Sequence, residues 1–262
     1  MNAQQIILSM VLATMVFSVA LELRIEDFKR VAQTPKAVIC GLIPQFLLLP
    51  VGTWLATLWL DLPPNMEAAM ILVAACPGGS LSNVVTHMGR GNTALSVSIS
   101  AVASIIALFA TPFNFSWMIA TNPETDSWLK ELAIDSSGIY ISLFLLLGVP
   151  LSLGLLASHR LPQLTERIRK PLGHFSLIAL LLFIVAGLIK ERQLLTLGLL
   201  PTLLLVVLHN ASGLFFGWVT SKVMGVSEKD RRAVMIEGGM QNSGLALGII
   251  AVQFNSDLGM VT

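Results

Sequence analysis

The sequence predicts an all-α polytopic membrane protein, an inverted-repeat transporter with two broken helices, and three observations predict it. Of 262 residues 55% are hydrophobic and only 12% charged, against about 25% charged in an ordinary soluble domain. Eight apolar stretches are each long enough to span a bilayer, which takes about 20 residues. Two of them are interrupted near the middle by glycine, proline and polar side chains. The same composition speaks against a soluble enzyme and against a nucleic-acid partner; the partners expected are lipid and small solutes.

The eight stretches are 6–23, 37–60, 66–87, 93–115, 136–157, 171–189, 194–219 and 233–254. Polar, proline-bearing or charged linkers separate them. The longest, about 116–135, holds Trp117 and Trp128, which suits a membrane interface. The first span is followed by Arg24, Lys29 and Arg30 and reads as a retained helix, not a cleaved leader. Placing alternate linkers on opposite sides divides the 16 Lys and Arg into 13 and 3. The richer side carries Arg24, Lys29, Arg30, Lys36, Arg90, Arg160, Arg167, Arg169, Lys170, Lys222, Lys229, Arg231 and Arg232; the poorer carries Lys130, Lys190 and Arg192. Basic loops stay cytoplasmic, so the N-terminus is expected outside, in a multi-pass protein of the inner (plasma) membrane. The ending after 255–262, with no closing basic segment, suggests that a further helix would follow. Cys40 and Cys76 lie in apolar stretches and offer no disulfide framework.

The third span reads MEAAMILVAACPGGSLSNVVTH, with Pro77, Gly78 and Gly79 at its centre. Proline removes a backbone donor and glycine weakens a helix, so the span should break there. Backbone freed at that depth must face protein or a wet cavity. Ser80, Ser82 and Asn83 follow the break. A helix restarting there turns free N–H groups and its positive dipole end toward an anion.

The eighth span reads RRAVMIEGGMQNSGLALGIIAVQF, with Glu237, Gly238, Gly239, Gln241, Asn242, Ser243 and Gly244 at its centre. Glu237 is the one carboxylate well inside a span. A charge there costs at least ~2.5–3.5 kcal/mol, which marks it as functional. Carboxylate, amide and carbonyl oxygens together suit a hard cation. Two interrupted segments in corresponding halves point to a transporter's binding site. The charge tally sends the third span inward and the eighth outward, as an inverted repeat requires. No paired intramembrane aspartates, HExxH motif or signalling domain is present, so no enzyme is expected.

CPGGSLSN at 76–83, GRGNTALSVSIS at 89–100 and IEGGMQNSGLA at 236–246 resemble the bile acid:sodium symporter family in its bacterial branch, and the likeness runs in order from the first span to the last. The resemblance implies a nine-helix member, apparently cut before its last helix, in which the two broken helices cross within a core domain at about 37–115 and 194–262, beside a panel domain at about 1–30 and 136–190. It implies Na⁺ as coupling ion at two sites and no other cofactor. One site would use Ser82, Asn83, Ser96, Ser100 and Glu237; the other Glu237, Gln241 and Gln45 with the carbonyls of Gly238 and Met240. Ser100 stands where threonine is familiar, and Gly238 where a branched residue is. Ser80, Asn83 and Asn242 are the implied contacts for an organic anion. His209 and Asn210 read as polar ties between packed helices. Alternating access of a sodium-coupled carrier is the function implied; a proton-coupled or arsenite-type carrier of the same fold is the alternative.

Overall fold

The structure is a computed structural model that describes residues 3–23, 25–132, 136–190 and 199–254. Arg24 and Arg192 of the basic tally, and residues 255–262, where a further helix was expected to follow, lie outside the described residues. Among the described residues every regular element is helical: α1 (Ala3–Glu22), α2 (Ile25–Gln33), α3 (Pro35–Ile43), a π-helical turn (Pro44–Leu48), α4 (Leu49–Leu60), α5 (Pro64–Ala75), α6 (Ser80–Met88), α7 (Thr93–Thr121), α8 (Pro123–Glu131), α9 (Ser136–Arg160), α10 (Pro162–Lys190), α11 (Leu199–Val223), α12 (Glu228–Gly239) and α13 (Ser243–Gln253).

Among the described residues four helical runs are long and apolar enough to cross a membrane: Pro35–Leu60, Thr93–Thr121, Gly138–Arg160 and Pro201–Val223. Ser9–Glu22 and Pro64–Ala75 are shorter apolar helices. The third and eighth expected spans are each two half-helices, α5 with α6 and α12 with α13, so neither can meet a length criterion for one continuous helix.

One expectation is corrected. The stretch 116–135 is not an open linker: α7 continues to Thr121, and Pro123 starts α8 at once. Asn122 makes the corner, its side-chain oxygen accepting from the Glu124 and Thr125 N–H groups at 3.0 and 3.4 Å, with proline at the first helical position where no donor is missed. Beside this corner Trp117, itself exposed, lies against Trp54 with centroids 5.2 Å apart, and Trp128 stacks on Phe254.

The corner is pinned from beneath by Glu67. Its carboxylate, fully buried, accepts from Asn122 Nδ2 at 2.8 Å and from the Leu62 N–H at 3.2 Å. Asn122 Nδ2 also reaches Thr57 Oγ1 at 3.2 Å, so one carboxylate ties α4, α5 and the α7–α8 corner. Glu67→Ala is expected to lower stability by about 1–3 kcal/mol, because it strips buried donors of their acceptor. Glu67 lies about 13 Å along the helix from the break at Cys76, so sodium affinity should hold. Thermal unfolding with and without Na⁺ separates the two effects.

α1 runs along α9 and α10, α7 packs on α9, and α11 lies along α12. The larger core cluster joins Leu12 of α1, Ile71 and Leu72 of α5, Phe115 of α7 and Ile249 and Ile250 of α13. A second gathers Val38, Ile99 and Val234 from α3, α7 and α12. Cys40 and Cys76 are both buried and free.

Candidate functional site

The two breaks cross. α5 ends at Ala75, Cys76 is extended at φ −91° and ψ 107°, and the helix restarts at Ser80. α12 ends at Gly239, Met240 is extended at φ −101° and ψ 91°, and the helix restarts at Ser243. The Ala75 carbonyl, left without a helical partner, accepts from Thr111 Oγ1 of α7 at 2.7 Å. The Cys76 carbonyl accepts from the Asn242 N–H at 3.4 Å, directly across the crossing. Glycine is needed here: a Cβ on Gly78 would stand 2.9 Å from the Met240 carbonyl oxygen, and one on Gly79 would stand 3.2 Å from Asn242 Nδ2.

Glu237 is the hub and is fully buried. Its Oε1 accepts from Ser82 Oγ at 2.7 Å, from Ser96 Oγ and from Ser100 Oγ at 3.1 Å. Oε2 accepts from Ser100 Oγ at 3.1 Å and from Gln45 Nε2 at 3.4 Å. Asn83 Oδ1 joins the cluster, accepting from Ser96 Oγ at 2.8 Å and from Ser100 Oγ at 3.3 Å. Ser82 and Asn83 belong to α6, Ser96 and Ser100 to α7 and Glu237 to α12, so three helices converge on one carboxylate.

Gln45 reaches this point because its segment departs from the α-helix. Leu49 donates to the Pro44 carbonyl, one residue further back than in an α-helix. Pro50 has no N–H to offer the Phe46 carbonyl, and Asn114 Nδ2 supplies the bond instead at 3.1 Å. The side-chain oxygens of Gln45 and Gln241 are both buried without a donor among the described residues. Gln241 Nε2 meanwhile donates to the Gly238 carbonyl at 3.0 Å. The oxygens of Glu237, Asn83, Gln45 and Gln241 thus form a hard, oxygen-only set, and the last two lack a proton to bind. That chemistry fits Na⁺.

Ser82, Asn83, Ser96, Ser100, Gln45 and Glu237 are joined by these hydrogen bonds, while the Gly238 carbonyl accepts from Gln241 and the Met240 carbonyl lies beside Gly78. The substrate expectations divide. Asn83 and Asn242 both line the cavity described below. Asn242 commits its oxygen to capping α13, accepting from the Leu245 N–H at 3.0 Å, so only its Nδ2 is left to act. The side chain of Ser80 lies outside the described residues. Gly79 starts α6 without a side-chain cap, and the Ser82 N–H donates to the Gly79 carbonyl at 3.0 Å. His209 pairs with Thr53 Oγ1 at 3.0 Å, and Asn210 Nδ2 donates to the Gly239 carbonyl; both are inter-helix ties. One residue was missed: Thr86, fully buried, with its hydroxyl 3.2 Å from Ser96 Oγ. It follows Ser82 by four and Asn83 by three, the spacing of one helix face.

A cavity of about 850 Å³ lies against the crossing. One wall is the two breaks, from Pro77 to Asn83 and from Met240 to Leu245. The opposite wall is apolar, built from Val16 and Val19 of α1 and Leu147 and Leu151 of α9. Glu22, Asp27, Arg169, Lys170 and His174 stand in the same lining, next to the loops of the basic side.

All-helical described residues, with apolar membrane-length helices and crossed, broken helices beside a cavity, are the architecture of integral membrane transporters. The chain belongs to the sodium bile acid symporter family, whose model matches residues 9–198, and the family is one of transporters, not enzymes. It is 32% identical to a probable sodium/metabolite cotransporter of Oryza sativa chloroplasts, over 91% of this chain and 57% of that protein. It is 29% identical to an uncharacterized sodium-dependent transporter of Bacillus subtilis, over 93% of this chain and 73% of that one. With the human ileal sodium/bile acid cotransporter the identity is 25%, over 96% and 70%. The chain thus spans little more than half the length of the rice relative. The family match stops before Glu237, whereas these alignments cover nearly the whole chain.

Proposed function

We propose that the chain is a sodium-coupled symporter of an organic anion, working by alternating access across the plasma membrane. The observation that carries this reading is the buried oxygen cluster on Glu237, with the unpartnered oxygens of Gln45 and Gln241 beside it. Two Na⁺ would be held there, one by Ser82, Asn83, Ser96, Ser100 and Glu237, the other by Glu237, Gln241, Gln45 and the carbonyls of Gly238 and Met240. The names of the relatives, which pair sodium with metabolites or bile acids, support the coupling.

In this reading eight spans cross the membrane from an external N-terminus, as two inverted halves. Residues of about 1–30 and 136–190, with α1, α9 and α10, form the panel, and those of about 37–115 and 194–262 form the core. The anion docks on the open N-terminus of α6, near Asn83 and the Nδ2 of Asn242, with its apolar part against α1 and α9. Arg169 and Lys170, at the cytoplasmic mouth, draw anions toward the cavity while Glu22 and Asp27 keep the mouth from trapping them. Ion binding links α6, α7 and α12 into one body that moves against the panel. Each charge carried through 100 mV contributes about 2.3 kcal/mol to the cycle.

The test is uptake of a panel of organic anions (a bile acid, small carboxylic acids and sulfonated acids) into proteoliposomes, with Na⁺ outside or with choline. At least one anion should accumulate only with Na⁺. Accumulation driven equally by choline and by a proton gradient would overturn sodium coupling in favour of the proton-coupled carrier.

A further inference from the structure

We infer that Thr86 is a positioning residue of the ion site: it accepts the hydrogen bond of the Ser96 hydroxyl when Na⁺ binds, and so turns an oxygen lone pair of Ser96 onto the ion. The inference rests on the sodium reading above.

It follows from counting protons. A serine hydroxyl has one hydrogen to donate. Ser96 Oγ faces three acceptors: Glu237 Oε1, Asn83 Oδ1 at 2.8 Å and Thr86 Oγ1 at 3.2 Å. Two of these, the carboxylate and the amide oxygen, are the atoms that would turn to the ion. A cation beside them repels an O–H bond pointing the same way, so the Ser96 O–H must turn away. Thr86 is the one remaining acceptor of the three. It is fully buried, as is Ser96, so water is a poor substitute.

Ser82 has the same two-sided arrangement. Its Oγ lies 2.7 Å from Glu237 Oε1 and 2.7 Å from the Gly79 carbonyl oxygen. With the O–H turned to that carbonyl, the Ser82 lone pairs face the carboxylate side. The two hydroxyls can therefore switch from donors to the carboxylate into ligands of a cation without moving a heavy atom. For Ser82 the alternative acceptor is backbone and cannot be mutated; for Ser96 it is Thr86, which can.

The experiment is a Na⁺ titration of the purified full chain, read as the shift in thermal unfolding midpoint, with choline chloride holding ionic strength. Thr86→Val keeps the shape and removes the acceptor. One net hydrogen bond is lost, so the Na⁺ half-saturation should rise roughly 3- to 10-fold. Thr86→Ser should stay within about twofold of the parent, a rescue that packing alone does not predict. In a Ser96→Ala background, Thr86→Val should cause no further loss, because the hydrogen bond it would accept is gone. Thr86→Ala reads the same way if the valine variant does not fold. Parent-like Na⁺ response in Thr86→Val, or an unchanged loss in the Ser96→Ala background, overturns the inference while leaving the sodium reading intact. A parent protein with no Na⁺ response overturns the sodium reading itself, and this inference with it.

Discussion

Glu237→Gln should abolish Na⁺-stimulated uptake and leave the protein folded. The carboxylate receives hydroxyl protons from Ser82, Ser96 and Ser100 and an amide proton from Gln45. A glutamine of nearly the same shape replaces one acceptor oxygen by an NH₂ group, which then faces donors. It also removes the only full negative charge in the proposed ligand set. Losing one partner of a buried charge pair costs about 3–5 kcal/mol, or roughly 10²- to 4 × 10³-fold in Na⁺ affinity.

The ion-free protein should not suffer to the same degree. An uncompensated charge at this depth is itself unfavourable by ~2.5–3.5 kcal/mol or more, and a neutral side chain relieves that. The signature is therefore specific: an unfolding midpoint near the parent's in choline, and no upward shift on adding Na⁺. A parent protein holding Na⁺ at 100 times its Kd gains about 2.7 kcal/mol from the ion, so the missing shift is measurable. Retained sodium stimulation of uptake would remove Glu237 from the coupling site.

How far these elements could be read in advance depends on what kind of force holds each one. The break at Pro77–Gly79 was legible, because proline and glycine act on the backbone wherever they stand. Glu237 was legible, because a charge in an apolar run must be explained. Ser96 and Ser100 were not legible from spacing, since serines four apart on a membrane helix more often bond back to their own turn; only the family resemblance singled them out. Ser98 and Ser104 in the same helix do bond back, to Ala94 and Ser100. Thr86 shares a face with Ser82 and Asn83, yet a face of α6 has meaning only once α7 is known to lie against it. The α7–α8 corner was read as a linker because Asp126, Lys130 and Glu131 lower its hydropathy, while the contacts that fold it, Asn122 to Glu67 and Trp128 on Phe254, come from distant parts of the chain. The unpartnered oxygens of Gln45 and Gln241 could not be foreseen at all, since an absence of donors is a property of the packed structure.

Gly213→Ala should weaken sodium binding from outside the ion site. Gly213 and Gly217 are four apart on α11, the small-residue spacing that lets membrane helices approach closely. A Cβ on Gly213 would run into the Gly238 carbonyl oxygen and stand 2.9 Å from the Gly239 Cα; one on Gly217 would stand 2.7 Å from the Met235 Cα. These are backbone atoms and cannot rotate away, so α11 and α12 must part. Overpacking of this kind costs about 1–3 kcal/mol. The displaced atoms include the Gly238 carbonyl, a proposed ligand, and the Asn210 tie to the Gly239 carbonyl is stretched with it. Stability and Na⁺ affinity should therefore fall together. Gly225 supplies the control: its φ of +64° disfavours any side chain, but no atom lies within 4 Å of its Cβ position. Gly225→Ala should cost about 1–2 kcal/mol through backbone strain alone and leave the Na⁺ titration where it was. If both alanine variants lose stability and neither shifts the titration, the close approach at Gly213 serves packing only. If Gly213→Ala alone shifts it, the small-residue face of α11 sets the position of an ion ligand.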